Sequence, residues 1–442
     1  MTRIASFSKK NKAQKNKLST LKFIVYATIL ALLVEAVILI KGYTYQSAGK
    51  IVYGYTIIIT IFMLSRVLGS FFYKSYNEKL TQEQKKQLLN YEPTVSFIIP
   101  CKNEEKAIYH TIVSCLASNY PKDKIEIIAI NDGSTDNTLN EMKRAAKDNP
   151  DRKVRVINFK VNKGKREAMY YGFQVSKGEI LIQLDSDSYP TPESLRFLIN
   201  PFIDLNVGAT VGHTDPSNKD ENFMTRMQTA YYFMSFRALK ATESIFDMVF
   251  CCSGCYAAYR REYVIPVLDT WINEKFMGKP IIFGDDRALT NWVIREGYKT
   301  VYIAEAQAYT VVPNTLKKFL KQQVRWKKGW LINSVRIAPE IIKKDKFVAF
   351  TYLIPLIIIT ILTPIIAFKS LIINPIFLGI SPLFYILGIS LVSVMLVTHY
   401  KVYSNEKYAK YMIAYSVLNM TILSYVIIYA IYDLKNMKWG TR

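Results

Sequence analysis

Apolar runs lie near both ends of this 442-residue chain, and a polar block separates them. The runs 23–40 and 51–73 contain one charge each, and the runs 347–368, 371–398 and 411–432 contain none. Because about 20 consecutive apolar residues cross a bilayer as a helix, the pattern predicts a multi-pass membrane protein. Asn374-Pro375 and Ser381-Pro382 interrupt the run 371–398, so the number of C-terminal spans stays open.

The block between residues 74 and 346 has a different pattern, in which short apolar stretches alternate with helical ones. Strands are predicted at 94–100, 125–130, 154–158, 180–184 and 207–213, and helices at 105–118, 136–147, 165–176, 222–242 and 286–296. Strands that alternate with helices predict a Rossmann-like, mostly parallel sheet covered on both faces. In such sheets, ligands bind beyond the carboxyl ends of the strands.

Acidic residues follow several of these strands at that edge of the sheet. Asn103-Glu104 follows the first strand, Asp132 the second, and Asp185-Ser-Asp187 the fourth. A solvated turn is a poor explanation for Asp185, because it comes directly after the apolar stretch ILIQL. Two carboxylates spaced in this way can hold Mg²⁺ together with phosphate oxygens. We therefore predict a shared site with Asp185 and Asp187 as metal ligands.

The formal charge of +23 permits a nucleic-acid binder, but its distribution favours a membrane orientation. Residues 1–22 contain seven Lys and Arg and no acid directly before the first apolar run. This positive-inside pattern places the N-terminus in the cytosol, and two spans return the chain there. The block 74–346 is therefore expected to be cytosolic, where its five cysteines stay reduced. Cys252-Ser-Gly-Cys255 has the spacing of a zinc ligand pair, but a second pair is missing.

Lys163-Gly164-Lys165-Arg166 precedes the helix that is predicted at 165–176. Three cations and a flexible glycine at a helix start can hold a pyrophosphate. Taken alone, a solvated basic turn explains the run equally well. Its position on the strand-end side of the sheet favours the phosphate site.

Two further motifs lie about forty residues apart in the stretch 283–330. Gly284-Asp285-Asp286-Arg287 puts adjacent carboxylates at the start of a predicted helix, where one can take a proton from a sugar hydroxyl. Gln322-x-x-Arg325-Trp326 puts an amide, a guanidinium and an indole on one helical turn. The guanidinium can hold a leaving pyrophosphate, and the indole face can stack on a pyranose ring. Together they suit transfer of a sugar from a nucleotide.

Two flanking features agree with that reading. Ser253-Gly254 follows an apolar run, so the backbone could approach a sugar closely there. Residues 314–336 are predicted to form a helix that is both basic and aromatic, which is typical of an interfacial amphipathic helix. Such a helix would lie against the inner leaflet and turn Gln322, Arg325 and Trp326 toward the site.

The order of these motifs, with Trp439-Gly-Thr-Arg442 at the end, resembles the processive membrane-embedded family-2 glycosyltransferases, and hyaluronan synthases most closely. The resemblance covers about residues 50–442. Asp-x-Asp and Gln-x-x-Arg-Trp are shared by cellulose, chitin and poly-N-acetylglucosamine synthases. Asn-Lys-Gly-Lys-Arg (162–166), Gly-Asp-Asp-Arg-x-Leu-Thr-Asn (284–291) and the terminal motif are closer to hyaluronan synthases.

The resemblance implies a cytosolic glycosyltransferase-A domain on an α-helical transmembrane channel, with amphipathic interface helices and Mg²⁺ or Mn²⁺ as cofactor. Asp286 would be the catalytic base. The residues implied to bind the nucleotide-sugar are Asp132, Lys163, Lys165, Arg166, Asp185, Gln322, Arg325 and Arg442. Those implied to bind the acceptor are Trp326, Ser253, Gly254 and Asp285, and Asp185 and Asp187 would hold the metal.

The implied domains are a basic tail (1–22), two transmembrane helices (23–73), the catalytic domain (74–313), interface helices (314–346), C-terminal membrane or interfacial helices (347–432) and a tail (433–442). The sidedness of that tail stays open. The expected location is the plasma membrane, with lipid, UDP-N-acetylglucosamine, UDP-glucuronate and the growing polysaccharide as partners. We expect no nucleic acid and no obligatory protein partner.

One departure from the sequence pattern of hyaluronan synthases leaves the identity of the polymer open. Hyaluronan synthases usually read Ser-Gly-Pro where this chain has Ser253-Gly254-Cys255. The alternatives are a chitin-like or poly-N-acetylglucosamine polymer from UDP-N-acetylglucosamine alone, or a non-processive transfer to a lipid acceptor. A non-enzymatic membrane protein that binds nucleic acid or acidic lipid would not need acids at successive strand ends.

Overall fold

A computed structural model describes residues 50–404 and 407–435. The basic tail 1–22, the predicted span 23–40 and the terminal motif 439–442 lie outside the described residues. The chain forms two compact units. The described part of the helical unit comprises residues 50–71, 354–404 and 407–424, and that of the sheet unit comprises residues 72–353 and 425–435.

Eleven helices of at least seven residues are described. They are α1 (Lys50–Phe72), α2 (Ile108–Leu116), α3 (Thr138–Lys147), α4 (Lys165–Val175), α5 (Phe223–Met234), α6 (Asp285–Arg295), α7 (Leu316–Lys344), α8 (Ile354–Phe368), α9 (Leu383–Tyr403), α10 (Tyr411–Thr421) and α11 (Val426–Tyr432). Shorter helices are Tyr76–Lys79, Gln82–Gln87, Ser194–Ile199, Ala241–Glu243, Arg261–Val264, Leu268–Ile272, Lys346–Val348 and Asn374–Leu378. A π-helical turn at Ser235–Lys240 continues α5, so the predicted helix 222–242 is confirmed.

The strands are β1 (Val95–Cys101), β2 (Ile125–Asp132), β3 (Lys153–Phe159), β4 (Ile180–Gln183), β5 (Ser188–Pro190), β6 (Val207–Pro216), β7 (Ala257–Arg260), β8 (Lys275–Phe276), β9 (Lys279–Pro280) and β10 (Lys299–Thr310). Eight form one sheet in the order β3-β2-β1-β4-β7-β6-β10-β5, and β8 pairs with β9. Strands β3, β2, β1 and β4 are parallel, as are β6 and β10. The predicted mostly parallel sheet is therefore confirmed.

Apolar clusters cover both faces of this sheet, which explains the uninterrupted apolar runs of its strands. Phe97 and Ile99 of β1 pack on one face with α2 and α3. Ile98, between them, packs on the other face with residues of α4, α5 and α6. Because successive side chains of a strand point to opposite faces, one apolar run contributes to both clusters.

Strand β7 runs antiparallel to both of its neighbours, as β5 does to β10, and the direction of β7 has a consequence for the strand ends. In the pairing of β7 with β4, Gln183 lies opposite Ala257. The residues just before β7 therefore lie beside the residues just after β4. The Asp185 N–H donates to the Gly254 carbonyl over 2.9 Å, which joins the two segments at the carboxyl edge of the sheet.

Three described helical stretches are long and apolar enough to cross a membrane: Lys50–Phe72, Lys346–Leu378 and Tyr385–Tyr403. A fourth is possible if the two segments Lys407–Thr421 and Leu423–Lys435 form one span. Within the helical unit, Tyr55 pairs with Thr363 over 2.8 Å and Ser70 with His399 over 2.8 Å. Such hydrogen bonds hold apolar helices together where the hydrophobic effect between them is weak.

The end of β2 depends on a glycine that no other residue can replace without strain. Gly133 has a φ of 62°, and a Cβ on it would lie 2.5 Å from the Asn162 backbone nitrogen. We expect Gly133→Ala to lower the free energy of unfolding by about 1–3 kcal/mol, through backbone strain and steric overlap. Thermal unfolding in detergent measures this effect.

Gly297→Ala is the matched control for that substitution. Gly297 has a φ of 92°, but a Cβ on it would meet no described atom within 4 Å. It therefore reports backbone strain alone. Equal melting temperatures for the two variants would contradict a close approach of the β2 turn to the 161–162 segment.

Candidate active site

The carboxylate of Asp132, at the end of β2, organises the basic loop that sequence analysis singled out. It accepts hydrogen bonds from the backbone N–H groups of Lys163 (2.7 Å) and Gly164 (2.9 Å) and from the Asn162 amide (2.7 Å). Gly164 has a φ of 97°, which suits a glycine at this turn into α4. Asp132 thus holds the loop beside the strand ends and sets where α4 begins.

Lys165, the first residue of α4, extends into a cluster of acids. Its ammonium lies 2.5 Å from Asp185 Oδ1 and 3.8 Å from Asp285 Oδ2. Burial alone would lower the pKa of Lys165, but the charges of Asp185, Asp285 and Asp286 outweigh it and raise the pKa above its ordinary value. Lys165 therefore carries a full positive charge at physiological pH.

Asp185 and Asp187 follow β4 but lie in different surroundings. Asp185 is partly exposed, with the Cys255 thiol 3.7 Å from its Oδ2. Asp187 is buried, its Oδ1 is 3.5 Å from the Thr310 hydroxyl, and its backbone oxygen accepts from the Val311 N–H over 3.3 Å. Asp187 therefore lies directly before β5, beside the end of β10.

The Gly284-Asp285-Asp286 turn starts α6 against α7. Gly284 has a φ of 74°, and a Cβ there would lie 3.0 Å from the Cα of Gly329 in α7. Asp285 is 4% exposed, and its Oδ1 has no hydrogen-bond partner among the described residues. Burial raises the pKa of the Asp285 carboxyl, Lys165 opposes this effect, and Asp286 adds to it.

The backbone of Gly254 joins the pair Asp185 and Asp187 to the pair Asp285 and Asp286. Its carbonyl accepts from the Asp185 N–H over 2.9 Å, and its own N–H donates to Asp286 Oδ2 over 3.3 Å. A Cβ on Gly254 would lie 2.6 Å from the Gln183 side chain and 3.2 Å from Asp185 Oδ1. The preceding Ser253 hydroxyl is buried, with no hydrogen-bond partner in the described part of the chain. The Gly254 backbone thus lies close to the side chains of Gln183, Asp185 and Asp286, and its predicted approach to a sugar stays a prediction.

Helix α7 carries the Gln-x-x-Arg-Trp motif. Gln322 and Arg325 line a cavity of about 190 Å³, whose other lining residues are Asn218, Glu221, Val311, Val312, Pro313, Asn314, Lys318 and Lys321. Trp326 is half-buried, with its ring 6.4 Å from that of Tyr231 in α5. Val311 belongs to the cavity and also contacts Asp187, so the cavity adjoins the acidic cluster.

The structure places the guanidinium of Arg166, which was predicted to bind a diphosphate, against Glu274 and Trp271. This guanidinium is buried, forms an ion pair with Glu274 over 2.6 Å and lies 4.4 Å from the Trp271 ring centroid. Successive helix residues project about 100° apart, so Lys165 and Arg166 cannot both extend into the acids. The Lys163 ammonium is also elsewhere, 4.9 Å from the Phe159 ring centroid, although its backbone N–H holds Asp132.

Three residues that build the site stand outside the motifs described above. Gly329, Cys251 and Glu274 all contact site elements, and their partners are distant in the sequence. Cys251 Sγ lies 3.6 Å from Asp286 Oδ2. For Gly329, a glycine within an otherwise regular helix is the signal that could have indicated a close helix contact.

The arrangement suits a phosphorylated substrate and a proton transfer. Among the described residues, no three His, Cys, Asp or Glu side chains are grouped to hold a metal ion. Asp185 and Asp187 supply hard oxygen ligands, which fit Mg²⁺ or Mn²⁺ when phosphate oxygens complete the coordination. Asp286, partly exposed beside Gly254, is a carboxylate available to accept a proton.

Comparisons with known proteins agree with this chemistry. The family model "Glycosyl transferase family 2" matches residues 96–268. The chain is 31% identical over 417 residues to a hyaluronan synthase of Streptococcus pyogenes, which covers 93% of this chain and 95% of that protein. It is 32% identical over 257 residues to an N-acetylglucosaminyltransferase of Neorhizobium galegae, covering 58% and 59%.

A solved structure shows the same fold at low identity. It is the mannosyltransferase PcManGT of Pyrobaculum calidifontis, in complex with GDP-Man and Mn²⁺. The TM-score is 0.51 at 18% identity, and the match covers 87% of this chain and 100% of that one. The glycosyltransferase-A fold that the motifs implied is therefore confirmed.

The raised pKa of Asp285 predicts a pH dependence of stability. The folded state binds this proton more tightly than the unfolded chain, so the free energy of unfolding falls as pH rises from about 3.9, the ordinary Asp value, through the folded pKa. Asn cannot ionise. We therefore expect the melting temperature of Asp285→Asn, relative to wild type, to increase across this pH window.

Melting curves in detergent at several pH values measure that difference. Asp123→Asn is the control, because Asp123 is exposed and distant from the cluster in sequence. If the difference in melting temperature between Asp285→Asn and wild type is the same at every pH, ionisation of the buried Asp285 does not destabilise the folded state.

Proposed function

Because the chain belongs to glycosyltransferase family 2, we propose that it is a processive, inverting polysaccharide synthase that makes hyaluronan from UDP-N-acetylglucosamine and UDP-glucuronate. The observation that carries this proposal is the 31% identity to a hyaluronan synthase over 93% of the chain. The convergence of Asp185, Asp187 and Asp286 at one edge of the sheet supports it.

The donor nucleotide would bind at the strand ends. Asp132 and the loop that it holds would contact the uridine side, and Lys165 would neutralise the diphosphate. Arg325 and Gln322, together with Lys321, line the adjoining cavity and would bind phosphate oxygens. Asp185 and Asp187 would hold Mg²⁺ or Mn²⁺, which would supply positive charge to stabilise the departing UDP. PcManGT is described with Mn²⁺, and it supports this choice.

Asp286 would be the general base. It removes the proton from an acceptor hydroxyl, the hydroxyl oxygen bonds to the anomeric carbon, and the bond between that carbon and the UDP oxygen breaks. In-line attack from the opposite face inverts an α-linked donor to a β-linkage. The Gly254 N–H, 3.3 Å from Asp286 Oδ2, orients the carboxylate for this transfer.

The acceptor would lie between α7 and the 253–254 turn. The half-buried Trp326 ring offers a face for a pyranose. The Ser253 hydroxyl and Asp285 Oδ1 are buried without hydrogen-bond partners among the described residues. Such groups carry a desolvation cost that sugar hydroxyls would remove.

The same chain would also carry the growing polysaccharide across the membrane. The described apolar helices would form the channel in the plasma membrane, with the sheet unit in the cytosol. Asp433 pairs with Lys328 of α7 over 2.5 Å, and the Lys435 carbonyl accepts from Lys279 over 2.9 Å. Residues 433–435 would therefore lie on the cytosolic side, and the role of Arg442 at the diphosphate stays a prediction.

A second candidate is a chitin-like synthase that uses UDP-N-acetylglucosamine alone. Cys255, next to Asp185, stands where the hyaluronan synthases usually have proline. The match to an N-acetylglucosaminyltransferase over 58% of the chain also favours this candidate.

The donors distinguish these functions. Purified protein in detergent with Mn²⁺ is given each UDP-sugar alone and then both, and UDP release and polymer are measured. We expect polymer that hyaluronidase digests only when UDP-N-acetylglucosamine and UDP-glucuronate are both present, because each linkage needs the other sugar as acceptor.

Polymer from UDP-N-acetylglucosamine alone would replace hyaluronan by the chitin-like product. A single sugar attached to lipid would contradict processive synthesis. Protein without Mn²⁺ or Mg²⁺, after chelation with EDTA, is the control and should release UDP at background rate.

A further inference from the structure

A buried carboxylate outside the acidic cluster binds three different parts of the site. Glu274 lies between the short helix Leu268–Ile272 and β8, and its side chain is 4% exposed. Oε2 forms an ion pair with Arg166 over 2.6 Å. Oε1 accepts from the Trp292 indole N–H over 2.9 Å and from Arg336 over 2.8 Å. Each carboxylate oxygen is therefore in use.

Each partner of Glu274 belongs to an element that carries site residues. Arg166 follows Lys165 in the first turn of α4. Trp292 is on α6, which Asp285 and Asp286 begin. Arg336 is on α7, which carries Gln322, Arg325 and Trp326. The Glu274 carboxylate thus connects three elements. They are the start of α4, which carries Lys165, the helix α6, which carries Asp286, and the helix α7, which carries Trp326.

Further contacts close this network. Arg166 also donates to the carbonyls of Trp271 and Ile281, and the Ile281 N–H donates to the Glu274 carbonyl over 3.0 Å. Between the two long helices, Arg295 of α6 donates to the Arg336 carbonyl over 2.7 Å. The carboxylate, its partners and its own backbone therefore depend on one another.

The chemistry of this network favours a role for Glu274 in positioning the elements of the site over a role in stabilising the fold. Glu274 offers one negative charge to two guanidiniums in a buried place, and replacing such groups by apolar residues often leaves stability equal or higher. Charge-assisted hydrogen bonds are directional, however, and they define the angle and distance between the elements that they join. An apolar contact would allow those elements to slide.

We propose that Glu274 is a positioning residue of the transferase. It acts through Arg166, Trp292 and Arg336 to hold Lys165, Asp286 and the Arg325-Trp326 turn at the separations that sugar transfer needs. It contacts no substrate itself. This inference rests on the proposed function, because its readout is the transfer reaction.

Glu274→Gln tests the proposal in the full-length protein. The amide keeps the shape of the side chain but leaves both guanidiniums without a countercharge. We expect kcat for polymer formation to fall about tenfold or more, because small misplacements of reacting groups are costly. The Kd for UDP with Mn²⁺ should stay within about threefold of wild type, since Asp185, Asp187 and Lys165 remain.

A milder variant covers the case in which Glu274→Gln does not fold. Trp292→Phe keeps one aromatic ring and removes the indole N–H that donates to Glu274, together with the second ring. We expect about a threefold or larger loss of kcat with unchanged UDP affinity. In the double variant, the second change should add little, because both remove the same connection.

Glu262→Gln is the matched control, since Glu262 is 61% exposed and 3.7 Å from Arg260 at the surface. It should leave kcat and UDP affinity at wild-type values. Wild-type kcat in both Glu274→Gln and Trp292→Phe would overturn the proposal. It would also be overturned if kcat and the amount of UDP bound both fell only in proportion to the fraction of protein that is folded. If wild-type protein transfers no sugar, the proposed function fails first, and this inference fails with it.

Discussion

The carboxylates of Asp185, Asp187, Asp285 and Asp286 lie at one edge of the sheet and repel one another. The contacts around them keep them together. Lys165 lies between Asp185 and Asp285, and the Gly254 peptide spans from Asp185 to Asp286. Burial raises the pKa of the Asp285 carboxyl, the Lys165 ammonium opposes this effect, and the neighbouring Asp286 adds to it. A site with surplus negative charge favours divalent cations, and an approaching cation with its diphosphate would find ligands already oriented.

Glycines make this density of charge possible. Gly254 lets the backbone pass between Gln183 and Asp185, and Gly284 meets Gly329 where α6 begins against α7. Side chains at these places would push the acids and the Gln-x-x-Arg-Trp helix apart. The antiparallel β7 supplies the other part of the arrangement, because its register with β4 brings residues seventy positions apart to one edge. Fold and site therefore depend on the same few close contacts.

Much of this could be predicted from the sequence, and the failures have a physical cause. The strands, the helix starts and the acids at strand ends follow local patterns, which is why Asp185 and Lys165 lie where they were expected. Arg166 was assigned with its neighbours because a run of cations does not reveal which one a helix turns inward. Glu274 had no local signal, because its partners lie 108 residues before it (Arg166) and 18 and 62 residues after it (Trp292 and Arg336).

The central claim is that Asp286 takes the proton in a sugar transfer at this cluster, and Asp286→Asn tests it most directly. Transfer is measured with both donors and Mn²⁺, UDP affinity is measured separately, and Asp123→Asn serves as the control. The account predicts a loss of about 10²–10⁴-fold in kcat with UDP affinity within about twofold of wild type. An Asp286→Asn protein that turns over both donors at the wild-type rate would contradict it.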